Sequence, residues 1–268
     1  MTGTDMRNPR TYGKAPYSIA VIHGGPGAPG EMAPVAEELS ATYGVLEPIQ
    51  TRRTVEEQVE ELKDILNDGA ILPVTLIGFS WGAMLSFIFA ARNPSFMKKL
   101  ILVGSGVFED RYAVNIMKTR IGRLSEEERT RLNYLSEALN DPANQEKNAD
   151  FAQLGELVSK ADSYDPLFQK SEAIECHYDI YESVWKEAAE MRSSGDLLRM
   201  GRRIKCPVVA IHGDYDPHLA EGVEIPLSGV LDDFRFILLE HCGHRPWYER
   251  HAKERFYAIL KSELKTWV

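Results

Sequence analysis

The segment Gly78-Phe79-Ser80-Trp81-Gly82 constrains this chain more than any other. It follows the apolar run Val74-Thr75-Leu76-Ile77. It precedes Ala83-Met84-Leu85-Ser86-Phe87-Ile88-Phe89-Ala90, which reads as a buried helix. A strand must therefore turn sharply into a helix at a serine. Such a turn presses backbone against backbone on both sides of the serine, and flanking glycines remove the side chains that would collide. The serine is left in strained backbone with its hydroxyl exposed above a helix N-terminus. The amide of Trp81 then points to where charge on a substrate oxygen would develop. Five residues of this form also arise by chance as plain turns, so the strand and helix on either side give the motif its weight.

Strand and helix alternate through the first hundred residues. Residues 18–22 are an apolar strand that ends in His23-Gly24-Gly25-Pro26-Gly27. Residues 31–43 read as a helix and 45–50 as a second strand. Residues 54–67 carry Val55, Val59, Leu62, Ile65 and Leu66 at helical spacing. Thr54 serves as N-cap and Glu57 completes a capping box. The elbow strand and its helix follow, and then Leu100-Ile101-Leu102-Val103 ends at Gly104-Ser105-Gly106. This alternation predicts a doubly wound, mostly parallel sheet.

The pattern breaks at about residue 108. From there to 203 the chain is charged and helical, with candidate helices over 125–139 and 172–191. Strand patterning returns at Pro207-Val208-Val209-Ala210-Ile211 and at Phe234-Arg235-Phe236-Ile237-Leu238-Leu239, and residues 246–268 form a last amphipathic helix. The expected architecture is an α/β core of residues 1–107 and 204–268, with a helical cap of residues 108–203 inserted after the fourth strand. The leader before Ser18 is too short for a full antiparallel hairpin. A mostly parallel sheet of about six strands, flanked by helices, is therefore expected.

A net charge of −9 with no basic stripe argues against a nucleic-acid partner. The three cysteines, Cys176, Cys206 and Cys242, give no disulfide framework and no paired metal spacing, which fits a reducing compartment. The polar N-terminal residues lack an apolar signal core, and no run is long enough to cross a bilayer. These features predict a cytoplasmic protein with no membrane partner, acting as a monomer or homodimer on a small-molecule or short-peptide substrate.

A serine nucleophile needs a base, and the base needs an orienting acid. Open α/β sheets place such groups in loops at the carboxyl ends of strands. Two loops qualify: His212-Gly213-Asp214-Tyr215-Asp216-Pro217-His218, and Glu240-His241-Cys242-Gly243-His244-Arg245-Pro246-Trp247. Asp214 or Asp216 can supply the acid, and His241 or His244 the base. The order Ser80, aspartate, histidine is that of a strand-elbow hydrolase. His212, Asp214, Asp216 and His218 alternate as cation ligands could, but alternation on a turn need not converge. No metal and no cofactor is expected. Cys242 reads as a small packed residue rather than a reactive thiol.

With these motifs in order, the chain resembles the α/β-hydrolase superfamily from about residue 18 to 268, least so in the cap. The resemblance selects Asp216, three residues after Gly213, and His244, which follows Gly243. It implies Gly25 as the second oxyanion amide beside Trp81. It leaves His23 to brace the oxyanion loop, and His212 and His218 to pack around the acid loop; His177 and His251 receive no role. The H-G-G-P-G loop with the G-x-S-W-G elbow is similar to the proline iminopeptidase branch. That implies release of an N-terminal residue, with cap carboxylates holding the free amine. Glu172, Glu175, Asp179 and Glu182 are the candidates, although the same residues also suit a solvated helix face. Tyr178, Tyr181 and Trp185 would supply aromatic surface, or cap core. The chain departs from that branch in its shortness, in Gln50-Thr51-Arg52-Arg53-Thr54 where an Asp-x-Arg-Gly-x-Gly segment is expected, and in Phe79 where glycine is frequent. The expected activity is that of a serine hydrolase acting on a small ester or amide. A lyase, a C–C hydrolase or a non-catalytic binding protein are the alternatives.

Overall fold

The computed structural model describes residues 8–167 and 176–265. The first half alternates β1 (Arg10–Tyr12), β2 (Tyr17–Ile22), α1 (Ala33–Ser40), β3 (Gly44–Glu47), α2 (Val55–Gly69), β4 (Val74–Phe79), α3 (Trp81–Arg92) and β5 (Met97–Val103). An excursion follows: α4 (Asp110–Ala113), α5 (Ile116–Arg123), α6 (Glu126–Asn140), α7 (Lys147–Ala161), α8 (Tyr178–Ser193) and α9 (Asp196–Met200). The chain then returns through β6 (Val208–Gly213), α10 (Glu221–Ser228), β7 (Phe234–Leu239) and α11 (Lys253–Lys265).

The sheet has seven strands in the order β1-β3-β2-β4-β5-β6-β7. The strands from β2 to β7 are parallel, and β1 lies antiparallel on the edge against β3. The sequence reading expects about six strands and misses this edge. A three-residue strand carries too little alternation to show, and what holds it is a partner far along the chain. Buried Glu47 accepts the Tyr12 hydroxyl at 2.7 Å, and Arg10 lies 3.5 Å from the same carboxylate. Among the described residues β1 pairs with β3 and makes no hairpin with β2.

All six residues of β4 are buried, as expected of a central parallel strand covered on both faces. Its alternate side chains divide between two cores. Leu76 packs with α2, α3 and α10 on one face; Ile77 packs with α1 and α11 on the other. On α2, Val59, Leu62 and Leu66 are almost fully buried, worth about 2 kcal/mol apiece. The α2 capping box is only half closed. The Thr54 hydroxyl accepts the Glu57 amide at 3.2 Å but donates to the Glu57 carboxylate, which leaves the Thr54 amide outside the exchange. At α6 the box is complete between Ser125 and Glu128. The expected C-terminal helix is divided. Pro246–Tyr248 forms a single 3-10 turn, and α11 begins only at Lys253.

The excursion is not detached from the core. Ile180, Val184 and Ala188 of α8 join the cluster around α2 and α3. The Glu187 carboxylate accepts the first amide of α2, that of Val55, at 2.8 Å. Among the described residues no helix is long and apolar enough to cross a membrane.

Candidate active site

Ser80 sits between β4 and α3 with φ 52° and ψ −115°. This lies in a sparsely populated region that costs about 1–3 kcal/mol and persists only when its surroundings enforce it. The enforcement is steric. A side chain at Gly78 would meet the Gly82 carbonyl at 2.3 Å, and one at Gly82 would meet the Ile22 carbonyl at 2.3 Å. The elbow is thus wedged against β2, and no larger residue fits either flank.

The β6 and β7 loops bring two further groups to this serine. His244 Nε2 lies 3.0 Å from Ser80 Oγ, and His244 Nδ1 lies 2.6 Å from Asp216 Oδ2. The other Asp216 oxygen accepts the His218 amide at 2.9 Å and faces His218 Nδ1 at 2.8 Å. His212 Nε2 lies 2.6 Å from the His218 carbonyl and 3.5 Å from Asp216 Oδ2. Burial alone would raise the Asp216 pKa, but the facing His244, His212 and His218 rings outweigh it and hold the carboxyl well below its ordinary range. Burial would likewise depress His244, and the charge of Asp216 outweighs it, so its pKa is raised from 6.5. An ionised carboxylate only accepts hydrogen bonds. The proton of His244 therefore lies on Nδ1, and Nε2 is free to take one from Ser80.

The alternatives left open by sequence lie elsewhere. Asp214 is exposed, and its carboxylate accepts the Cys242 amide at 3.0 Å. His241 is exposed and packs against Tyr164 and His251. His251 faces Asp165 at 3.1 Å. The His177 amide donates to Gly27 at 2.7 Å, which ties the start of α8 to the H-G-G-P-G loop. His23 is fully buried. Its Nδ1 faces the Gly24 carbonyl at 2.7 Å, and its Nε2 accepts the Gln50 amide at 3.1 Å. Burial depresses its pKa to about 4. Burial also pushes the Cys242 thiol far up, so it is no thiolate.

Ser80, His244, Gly25 and Trp81 open into one cavity of about 370 Å³. Of the cap residues singled out by sequence, Tyr181 and Trp185 line it, with their rings stacked 6.1 Å apart. Tyr178 lies behind them against Phe151. Asp179 pairs with Arg53 and is exposed, as is Glu182, and neither lines the cavity. Glu172 and Glu175 lie outside the described residues.

Two charged pairs in the cavity wall escape the sequence reading. Arg120 grips Asp162 with both arms of its guanidinium, at 2.8 and 2.7 Å. Glu31 lies 3.7 Å from Arg245 beside the loop of residues 23–27, and burial raises its pKa. Neither has a local motif, because each partner is supplied by a distant segment. The same holds for the support of the His244 loop. The Asp162 carbonyl accepts the His244 amide at 2.8 Å. Buried Glu249 accepts the amides of Gly243 at 3.1 Å and of Tyr164 and Asp165 at 2.8 Å each. The ligand atoms of Asp216, His218 and His244 lie within 4.8 Å of one another. Hydrogen bonds among them already account for that convergence.

This geometry on a mostly parallel sheet has relatives. The profile of the alpha/beta hydrolase fold matches residues 36–250, and the chain belongs to that family. Comparison with curated protein sequences gives no match. Among solved structures, VinJ is similar at 19% identity over 97% of this chain and 95% of that one, with a TM-score of 0.67. A thermophilic esterase from Thermogutta terrifontis, with malate bound, is similar at 18% identity over 96% and 92%, TM-score 0.63. The proline iminopeptidase of Mycobacterium smegmatis is similar at 18% identity over 96% and 93%, TM-score 0.60.

Proposed function

We propose that the chain is a serine hydrolase that cleaves small, partly apolar esters or amides through an acyl-enzyme. The observation that carries this is the continuous relay from Ser80 through His244 to Asp216, at 3.0 and 2.6 Å, at the floor of a cavity. His244 Nε2 takes the Ser80 proton as Oγ attacks the substrate carbonyl. Asp216 fixes the Nδ1–H tautomer and stabilises the imidazolium that forms. The amides of Gly25 and Trp81 receive the oxyanion. Helix geometry supports Trp81 in that role, since the first amide of α3 has no acceptor within its own helix. Each such donor is worth about 3 kcal/mol of transition-state stabilisation. His244 then protonates the leaving group, and water returns through the same base to release the acyl group.

The cavity wall of Phe151, Leu154, Val158, Tyr181 and Trp185 suits an apolar acyl chain. A substrate with a free amine would need a carboxylate within the cavity. Of the two described there, Asp162 is occupied by Arg120, and Glu31 has the looser ion pair. Turnover of p-nitrophenyl esters against amino-acid arylamides asks whether that amine is recognised. A fluorophosphonate should label Ser80, and Ser80→Ala should abolish both labelling and turnover. A folded wild-type protein that ignores all three reagents refutes the proposal.

A further inference from the structure

His218 has one polar atom that the relay does not use. Asp216 can only accept, so the His218 proton lies on Nδ1, the nitrogen 2.8 Å from Oδ1. Burial lowers the His218 pKa against the opposing pull of Asp216, so in neutral solution the ring is uncharged and Nε2 is a lone-pair acceptor. Among the described residues nothing donates to it. The side chain is 7% exposed, and the residue lines the cavity. The ring centroid lies 4.8 Å from that of His244. The backbone on either side is fixed: the His218 amide binds Asp216, and the His218 carbonyl meets His212 Nε2. A rigid and unpaired acceptor therefore faces the cavity beside the general base.

Resting on the hydrolase function proposed above, we infer that His218 Nε2 is a substrate-binding group that accepts a hydrogen bond from an uncharged N–H or O–H of the substrate close to the scissile carbonyl. Of the charged side chains in the lining, Arg120 and Arg245 are donors, Asp162 is taken by Arg120, and Glu31 faces Arg245. A donor placed there by the substrate regains a bond that it gave up on leaving water, whereas a C–H at the same place leaves Nε2 desolvated and unpaired. The result is selectivity for substrates with a donor next to the reacting bond.

Two isosteric substitutions separate this role from support of Asp216. In His218→Asn the amide nitrogen replaces Nδ1 and can still donate to Asp216, while the Nε2 acceptor is gone. In His218→Gln the side-chain amide reaches the Nε2 position and keeps an acceptor there, while the Nδ1 donor is gone. The readout is the ratio of kcat/KM within matched substrates. For the acyl side these are p-nitrophenyl 3-hydroxybutyrate and p-nitrophenyl butyrate; for the leaving group, 2-hydroxyethyl butyrate and ethyl butyrate. The wild type should prefer the hydroxyl-bearing member of one pair by about fivefold, the scale of one net neutral hydrogen bond. His218→Asn should erase that preference and His218→Gln should keep it, whatever either does to the absolute rate. An unchanged ratio in a folded His218→Asn protein that still labels with fluorophosphonate overturns the inference and leaves His218 as a support for Asp216. No preference in the wild type overturns it as well. If wild-type Ser80 fails to label, the hydrolase function itself falls and takes this inference with it.

Discussion

Acid should weaken this fold through His23 before it reaches the carboxylates. The ring is sealed beneath the loop of residues 23–27, with Nδ1 on the Gly24 carbonyl and Nε2 accepting the Gln50 amide. A second proton would have to go on Nε2, directly against that N–H. Burial is the cause of the depressed pKa, about 4 against an ordinary 6.5. The sign follows from linkage. Above pH 6.5 the ring is neutral in both folded and unfolded chains, and its contribution to stability is present in full. Below 6.5 the unfolded chain takes up a proton that the folded chain refuses, so stability falls until the folded pKa is reached. The gap of about 2.5 units at 1.36 kcal/mol each makes the total loss about 3 kcal/mol. Urea titrations at pH 7.5 and 4.5 should show most of that difference. His23→Gln keeps an acceptor for the Gln50 amide but cannot titrate. It will have its own fixed cost at pH 7.5, and its curve against pH should be flatter than the wild type by about 2 to 3 kcal/mol over the same interval. His218, also depressed by burial, titrates in both proteins and cancels in the comparison. Curves that run parallel within about 0.5 kcal/mol would refute the argument.

The elbow itself should store measurable strain. Ser80→Gly should raise unfolding free energy by about 1 kcal/mol over Ser80→Ala in denaturant melts, because only glycine relaxes at φ 52°. Asp216→Asn should cut kcat on p-nitrophenyl esters by a factor on the order of 10⁴. The activity of the wild type should fall as pH drops through a His244 pKa above 6.5, since the base must be unprotonated. Loss of the Asp216 charge should move that limb to lower pH, as a pH profile of kcat/KM will show. Glu249→Gln sets an amide NH₂ among three backbone donors and should cost about 2 kcal/mol in a urea melt.

What could be read in the sequence was whatever lies within a few residues of its own cause. The run 74–90 shows strand, elbow and helix together because each part is local. The loops after β6 and β7 stand out because each follows an apolar strand, with His244 directly after Gly243 and Asp216 three residues after Gly213. β1 was illegible because Glu47, which holds Tyr12, is 35 residues away. Asp162, Arg120 and Glu249 were illegible for the same reason. Their chemistry is ordinary surface chemistry until folding brings partners to them from 42 to 85 residues off.

Those distant contacts change how the two halves of the chain relate to one another. By sequence the helical excursion is a cap whose carboxylates and aromatic residues are candidates to meet the substrate. In the structure it also holds His244. The amide of His244 is bound by the Asp162 carbonyl at the end of α7, and Glu249 joins Gly243 to Tyr164 and Asp165 just beyond it. A side chain on Gly243 would strike that same Asp162 carbonyl at 2.2 Å, so the glycine that precedes His244 is required by close packing of the helical excursion against the loop after β7. Asp162 then acts twice, its carbonyl on His244 and its carboxylate on Arg120 in the cavity wall. Under the function proposed above, a ligand that drew on Arg120 would draw on the same residue whose carbonyl holds the His244 amide, a physical route from cavity to relay.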